Sequence, residues 1–278
     1  MELIAHTFGQ LYAELLGRLL YEGDTVETRG QLTRELVKVN LRLADPTQNI
    51  LFHPSRNLNY RFMVAEWLWI TFGREDVATI TRYNSKIAEF SDDGQTFWGA
   101  YGPRFREQWN YVLAKLRADP SSRQALLTLW RPSPGTTRDV PCTVSWQFLI
   151  RRRRLHLLAT MRSSDIWLGL PYDVFNFTMI QNLTAGVLGL RPGTFYLDLG
   201  SSHLYEHDAP RAHDLHAATQ LFTTVGSPRL PCFPPDELHQ VLVDPAAPSS
   251  PLPPPWDRYA RALRVRTRAE AWEVLRGA

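Results

Sequence analysis

The sequence predicts an α+β fold. Helical periodicities stand at the start and end of the chain, strand-like runs cluster in its middle, and the two kinds of element do not alternate strictly, as they would in a doubly wound sheet. With 278 residues, 44% of them hydrophobic and 21% charged, the chain has the composition of a folded globule with a sizeable core.

From Thr7 to Tyr21 the apolar positions Phe8, Leu11, Tyr12, Leu15, Leu16, Leu19 and Leu20 recur at three and four, which predicts that a helix opens the chain. Arg34 to Leu43 alternates apolar and polar residues and reads as a half-buried strand, ended by Asp45-Pro46. Asn59 to Phe72 reads as a core helix around Glu66. Ser91-Asp92-Asp93-Gly94 has turn chemistry, and Arg104 to Arg117 is helical up to Asp119-Pro120. Ala125–Trp130, Thr143–Ile150 and Arg154–Met161 are strand-like, the last two forming a hairpin around a basic turn. Val174 to Leu188 is a long apolar helix ended by Gly189, and Gly193–Leu199 with Ser201–Tyr205 is again strand-like. A proline-rich segment, 245–255, leads to one amphipathic C-terminal helix, 256–275, and the whole of 1–278 reads as a single domain.

Several function classes are excluded. A net charge of +3 is too near balance for a sequence-independent nucleic-acid coat, so no nucleic acid is required. No window approaches the roughly 18 apolar residues that cross a bilayer. Two cysteines, Cys142 and Cys232, are no secreted disulfide framework, and the N-terminus lacks the basic region of a signal peptide, which points to the cytoplasm. Dinucleotide, Walker, nucleophile-elbow and zincin motifs are missing. His203 and His207 lack a neighbouring cysteine or carboxylate cluster, and no metal is expected.

The informative stretch begins at Pro141-Cys142 and continues through Arg162-Ser163-Ser164-Asp165, Leu168-Gly169-Leu170-Pro171-Tyr172-Asp173, Gly189 to Phe195 and Ser202-His203-Leu204-Tyr205. With Asp119 to Arg123 and Glu66 upstream, it resembles the thymidylate synthase family over about 200 residues. The resemblance implies a mixed β-sheet packed with helices and a sheet-mediated homodimer. It further implies 5,10-methylenetetrahydrofolate as co-substrate and a pyrimidine nucleoside monophosphate as substrate.

By the same resemblance Cys142 is the thiolate that adds at pyrimidine C6, activated by nearby guanidinium charge. Glu66 organises water and proton transfer, and Tyr101 stands near the C5 proton. Arg29, Arg123 and Arg162 hold phosphate, one of them shared across the dimer. Ser163 and Gln147 also line the substrate site, His203 and Tyr205 bind the sugar hydroxyl, and Asp165 with Gly169 meets the folate. The four arginines 151–154 read as a solvated turn.

Two departures set the expected reaction. Where thymidylate synthases carry an asparagine, this chain has Asp173, as does the deoxycytidylate/cytidylate 5-hydroxymethyltransferase branch that it resembles. An ionised carboxylate offers only acceptors, which suits the 4-amino group of cytosine and repels uracil O4. Thr79 to Phe97 lacks the family's tryptophan, and the family's aliphatic tail does not follow, which favours water over hydride in the last step. The expectation is 5-hydroxymethylation of dCMP. The alternatives are CMP hydroxymethylation in nucleoside-antibiotic synthesis, true methyl transfer, and a non-catalytic nucleotide- or RNA-binding relative.

Overall fold

The computed structural model describes residues 1–132, 135–218, 222–248 and 250–277. Residue 249 of the proline-rich segment and residue 278 of the expected domain lie outside the described residues.

The chain does not open on a helix. Strand β1, Glu2–Ala5, precedes helix α1, Phe8–Glu22, whose Thr7 and Gln10 form a capping box. Four residues carry too short a pattern to read, and β1 exists because it pairs in parallel with distant Asn40–Leu43. A hairpin follows, β2 (Asp24–Thr28) and β3 (Gln31–Leu43), around Arg29 and Gly30, both at positive φ. Strand β4 is Ile50–Phe52. Helix α2, Tyr60–Thr71, is capped by the Asn59 side chain as expected for a core helix. A short α3, Val77–Ile80, leads to α4, Tyr101–Ala118.

The strand expected at Ala125–Trp130 shortens to β5, Leu126–Thr128, whose pairing with β6 runs from Leu126–Gln147 to Thr128–Ser145 and stops beside a bulge in the pairing of β6 with β7. Strands β6, Thr143–Arg151, and β7, Arg154–Asp165, form the expected hairpin, with Arg152 and Arg153 at its tip. Helix α5, Leu170–Val187, crosses over to β8, Arg191–Tyr205, one continuous strand parallel to β7. It is buried on all sides, as its apolar sequence demands, and Gly189 past its end takes φ +69°.

The remaining elements are α6 (Ala209–Ala217), β9 (Thr223–Val225), α7 (Asp236–Val243), α8 (Trp256–Arg264) and α9 (Arg268–Arg276). The single C-terminal helix expected over 256–275 is thus two. Val265 turns extended, and Thr267 with Glu270 forms a second capping box inside the amphipathic run.

Among the described residues, seven strands form one mixed sheet in the order β1-β3-β8-β7-β6-β5, with β2 on β3. Helices α2 and α5 pack together beneath it. The C-terminal helices close the far side of α2, where Tyr259 meets Trp67 at 4.9 Å and Trp272 stacks on Phe52 at 4.2 Å. No helix among the described residues is long and apolar enough to cross a membrane.

Candidate active site

A group of titratable residues interrupts the core where α2, α4, α5 and the start of β6 meet. In α2 Glu66 is half-buried between fully buried Ala65 and Trp67, in α5 Asp173 is half-buried beside buried Val174, and Tyr101 and Cys142 are half-buried as well. Titratable groups that keep partial access amid buried neighbours mark a cavity rather than a packed core.

Cys142 stands just before β6. The Arg162 guanidinium reaches it from β7, with its amine 3.7 Å from the Cys142 Sγ, while Nε donates to the Pro141 carbonyl at 2.9 Å and the amine also donates to the Val140 carbonyl at 3.0 Å. The strands approach closely here: a Cβ on Gly200 of β8 would lie 2.8 Å from the Arg162 carbonyl, so only glycine lets β8 run alongside. Arginine activation of the thiol was the expectation. Burial is instead the largest influence and pushes the Cys142 thiol up, with Arg162 and, more weakly, Arg29 pulling it down.

Tyr101 opens α4 and accepts from the Thr143 backbone N–H at 3.2 Å and from its hydroxyl at 3.0 Å. Its hydroxyl is held well above the usual range by burial and by the charges of Cys142 and Asp173, so it stays protonated beside the thiol. Asp173, in the first turn of α5, is pushed well above the ordinary carboxyl range by burial, then by Glu66 and Asp165. Glu66 is raised to about 7 by burial, against a 2.7 Å hydrogen bond from the Asn176 amide that favours its charged form.

Asp165 at the end of β7 accepts from the backbone N–H groups of Trp167 and Leu168 at 2.8 and 2.9 Å, both through Oδ1. Burial raises it, and burial lowers its cross-strand neighbour His203. The Ser163 hydroxyl lies 3.3 Å from His203 Nδ1, and the His203 and Tyr205 rings meet edge to face at 5.5 Å. Gly169 caps α5 in the gap between Asp165 and Asp173, where an added Cβ would come within 3.5 Å of both.

Cys142, Tyr101, Glu66, Asp173, Asp165, Gly169, Arg162, Ser163, His203 and Tyr205 therefore form one cluster, linked by contacts and charge interactions. Arg29, at the tip of the β2–β3 hairpin, acts on Cys142 electrostatically and lines a cleft of about 440 Å³ with Phe90 and Arg138. Two residues stand apart. Gln147 lies between Trp146 and Phe148, which face the helical core, so its side chain takes the other face of β6 and donates to the Arg123 carbonyl at 2.8 Å. Arg123 itself is exposed in the loop before β5.

The motifs do not single out Asn176, although an amide three residues after Asp173 in an apolar helix shares its face. The stretch Thr79 to Phe97 stops one residue short of Trp98, which is half-buried with the Arg104 guanidinium 5.0 Å from its ring centroid. Among the described residues no group of three or more metal-ligating side chains occurs.

The sequence model of the family described as Thymidylate synthase matches residues 10–224. A deoxyuridylate hydroxymethyltransferase of Bacillus phage SP01 is 33% identical over 219 residues, covering 72% of this chain and 57% of that protein. One of Pseudomonas phage M6 is 30% identical over 211 residues, covering 71% and 59%. The chain thus aligns with somewhat under two thirds of the length of either relative. The thermostable thymidylate synthase A from Bacillus subtilis superposes with a TM-score of 0.71 at 22% identity, over 82% of this chain and 91% of that one, and so shares its fold. Matched over most of its length by the family's own model, the chain belongs to the thymidylate synthase family.

Proposed function

We propose that this chain is one catalytic domain that hydroxymethylates C5 of a cytidine monophosphate, with dCMP as the preferred substrate. The observation that carries the reading is the convergence of Arg162, Tyr101 and Asp173 on Cys142. It supplies a nucleophile, a cation for phosphate, a hydroxyl for the C5 proton and a reader of the base.

The Cys142 thiolate adds to C6, and the displaced π electrons make C5 an enamine carbon able to form a bond to a one-carbon electrophile. Binding of an anionic phosphate near Arg162 and Arg29 orients the ring over the sulfur. Tyr101 and Glu66 manage the proton that leaves C5. Loss of that proton breaks the carbon–nitrogen bond to tetrahydrofolate, which departs and leaves an exocyclic methylene at C5; water ordered by Glu66 adds its oxygen to the methylene and gives up a proton, and breaking of the C6–S bond restores the aromatic ring and the thiolate. 5,10-Methylenetetrahydrofolate supplies the one-carbon unit at the oxidation level of formaldehyde. The residues fit such a co-substrate: Asp165 takes its two backbone bonds on one oxygen, beside Leu168, which is 56% exposed and offers an apolar wall to a flat heterocycle.

Base choice rests on Asp173. Protonated, it accepts from the cytosine 4-amino group and donates to N3; ionised, it still accepts from the amino group. Uracil matches only the protonated form, which would donate to O4 and accept from N3–H. The protonation that burial favours here supports deoxyuridylate as a second reading, and the two phage relatives, both deoxyuridylate hydroxymethyltransferases, point the same way. The phosphate site is proposed to be completed in a homodimer, with Arg123 reaching the partner subunit's cleft.

The deciding experiment incubates the protein with methylenetetrahydrofolate and dCMP, CMP or dUMP in turn and identifies products by mass. A 5-hydroxymethyl product from dCMP or CMP is the expected result. Better use of dUMP overturns the cytidylate reading, and a methyl product with dihydrofolate overturns the hydroxymethyl one. No product from any nucleotide, together with no Cys142 adduct, overturns the enzyme reading.

A further inference from the structure

Helix α5 turns two polar side chains toward Glu66 from one face, Asp173 and, three residues on, Asn176. Asn176 is 2% exposed. Its Nδ2 donates to Glu66 Oε2 at 2.7 Å, which ties α5 to α2 at the functional carboxyl, and its Oδ1 is buried without a hydrogen-bond partner among the described residues. Other polar side chains of this buried helix serve the scaffold: Thr178 and Thr184 return to the helix backbone, while Gln181 and Asn182 brace neighbouring loops and strands. Asn176 alone of these turns to a titratable group, and it leaves half of its amide unmatched to do so.

We infer that Asn176 is a positioning residue for Glu66, whose amide orients the carboxyl and serves it in both protonation states by exchanging its two ends. Toward the carboxylate it donates through Nδ2, as the structure records. Toward the carboxylic acid a half-turn about the terminal bond brings Oδ1 round to accept the proton. In either state one amide end faces Glu66 and the other is left over, so the unpartnered Oδ1 is what a two-way switch requires. A group that must take up and release a proton during turnover needs such a partner; a fixed donor would hold the carboxylate and oppose protonation. The inference rests on the proposed one-carbon transfer only for what Glu66 does with its proton.

The groups that bear on Glu66 are few. Asp173 and Tyr172 face it from α5. Asp173 in turn acts on Tyr101 of α4 and on Cys142, and Arg56 and Arg268 act on Tyr172. Asn176 is the side chain that the structure bonds to the carboxyl directly.

The test needs neither nucleotide nor folate. Infrared difference spectra between the wild-type chain and Glu66→Gln isolate the Glu66 carboxyl band as pH is stepped through neutrality. The wild-type midpoint is expected at about 7. In Asn176→Ala the carboxylate loses the stronger of the two hydrogen bonds and the acid the weaker, so the midpoint should move upward by about half to one pH unit. Asn176→Ser keeps a shorter donor, should shift it less, and provides the readout if the alanine variant does not fold. The acid limb of the kcat profile should move with the band. A midpoint unmoved in either folded variant overturns the assignment. A wild-type chain inactive on every nucleotide leaves the band readable, so the proposed function can fail while this inference stands.

Discussion

The two ends of the cavity are built on different principles. At the base end, Glu66, Tyr101, Asp173 and Asn176 project from three packed helices, and burial dominates their chemistry, raising all three titratable groups. At the end proposed to hold phosphate, Arg29 sits exposed on a hairpin tip, and Arg162, near the end of β7, is held by carbonyl oxygens. A site that must tell donors from acceptors needs fixed, partly dry partners, because an unmatched polar group then costs its full desolvation. A site that holds a dianion needs permanent charge and tolerates water.

The largest expected effect would break the comparison at its hinge. Cys142→Ser should lower turnover by about 10⁴-fold or more while nucleotide still binds, since neither end is altered. Product assays with calorimetric titration check both halves, and wild-type-like turnover would remove the covalent step.

Arg123→Ala, at the arginine proposed to complete the partner subunit's phosphate site, should cost roughly 10- to 100-fold in kcat/KM, the value of one charge-assisted contact. Mixed with Cys142→Ser under subunit exchange, it should regain roughly a quarter of wild-type activity, because half the dimers are hybrids with one intact site. Absence of complementation would place the whole phosphate site within one chain.

The base end is sharpened by Asp173→Asn, which makes the donor permanent. The ratio of kcat/KM for dUMP to that for dCMP should rise at least about tenfold, with the product still hydroxylated. An unchanged ratio would take base reading away from this position.

The smallest effect is on stability. The Glu66 carboxyl is raised to about 7 when folded, against about 4.3 for an unperturbed glutamate, so the folded chain binds this proton more tightly than the unfolded one. Its contribution is therefore full below the unfolded value and lost as pH rises through 7, and Asp173 acts in the same direction. Between about pH 4.5 and 7 the Tm of the nucleotide-free protein should fall. Glu66→Gln should flatten that fall, at roughly 2 to 4 °C per kcal/mol removed. An equal slope in both proteins would show that Glu66 is not desolvated.

How much was legible follows the same division. The long elements α1, α2, α4, α5 and the β6–β7 hairpin carry local apolar patterns, with side-chain caps on α1 and α2, and the sequence predicts each within a few residues. Strand β1 and the split between α8 and α9 were not, the first because four residues have no pattern without a partner, the second because continuous amphipathicity hides a Thr267 cap. In the site, motif spacing brought forward the residues that gather around Cys142. It also brought forward Gln147, whose place on the opposite face follows from strand alternation relative to Trp146 and Phe148.

By itself the sequence determined the α+β class, the family and the residue types available for chemistry, since these depend on composition, period and local motif. Only the tertiary structure decided their states: a thiol raised by burial where guanidinium activation was expected, an Asp173 pushed toward its protonated form, and an Asn176 turned to Glu66. The reason is physical. A proton's affinity and an amide's partner are set by desolvation and by charges that residues far apart in the chain bring within a few ångströms, and no local pattern encodes that distance.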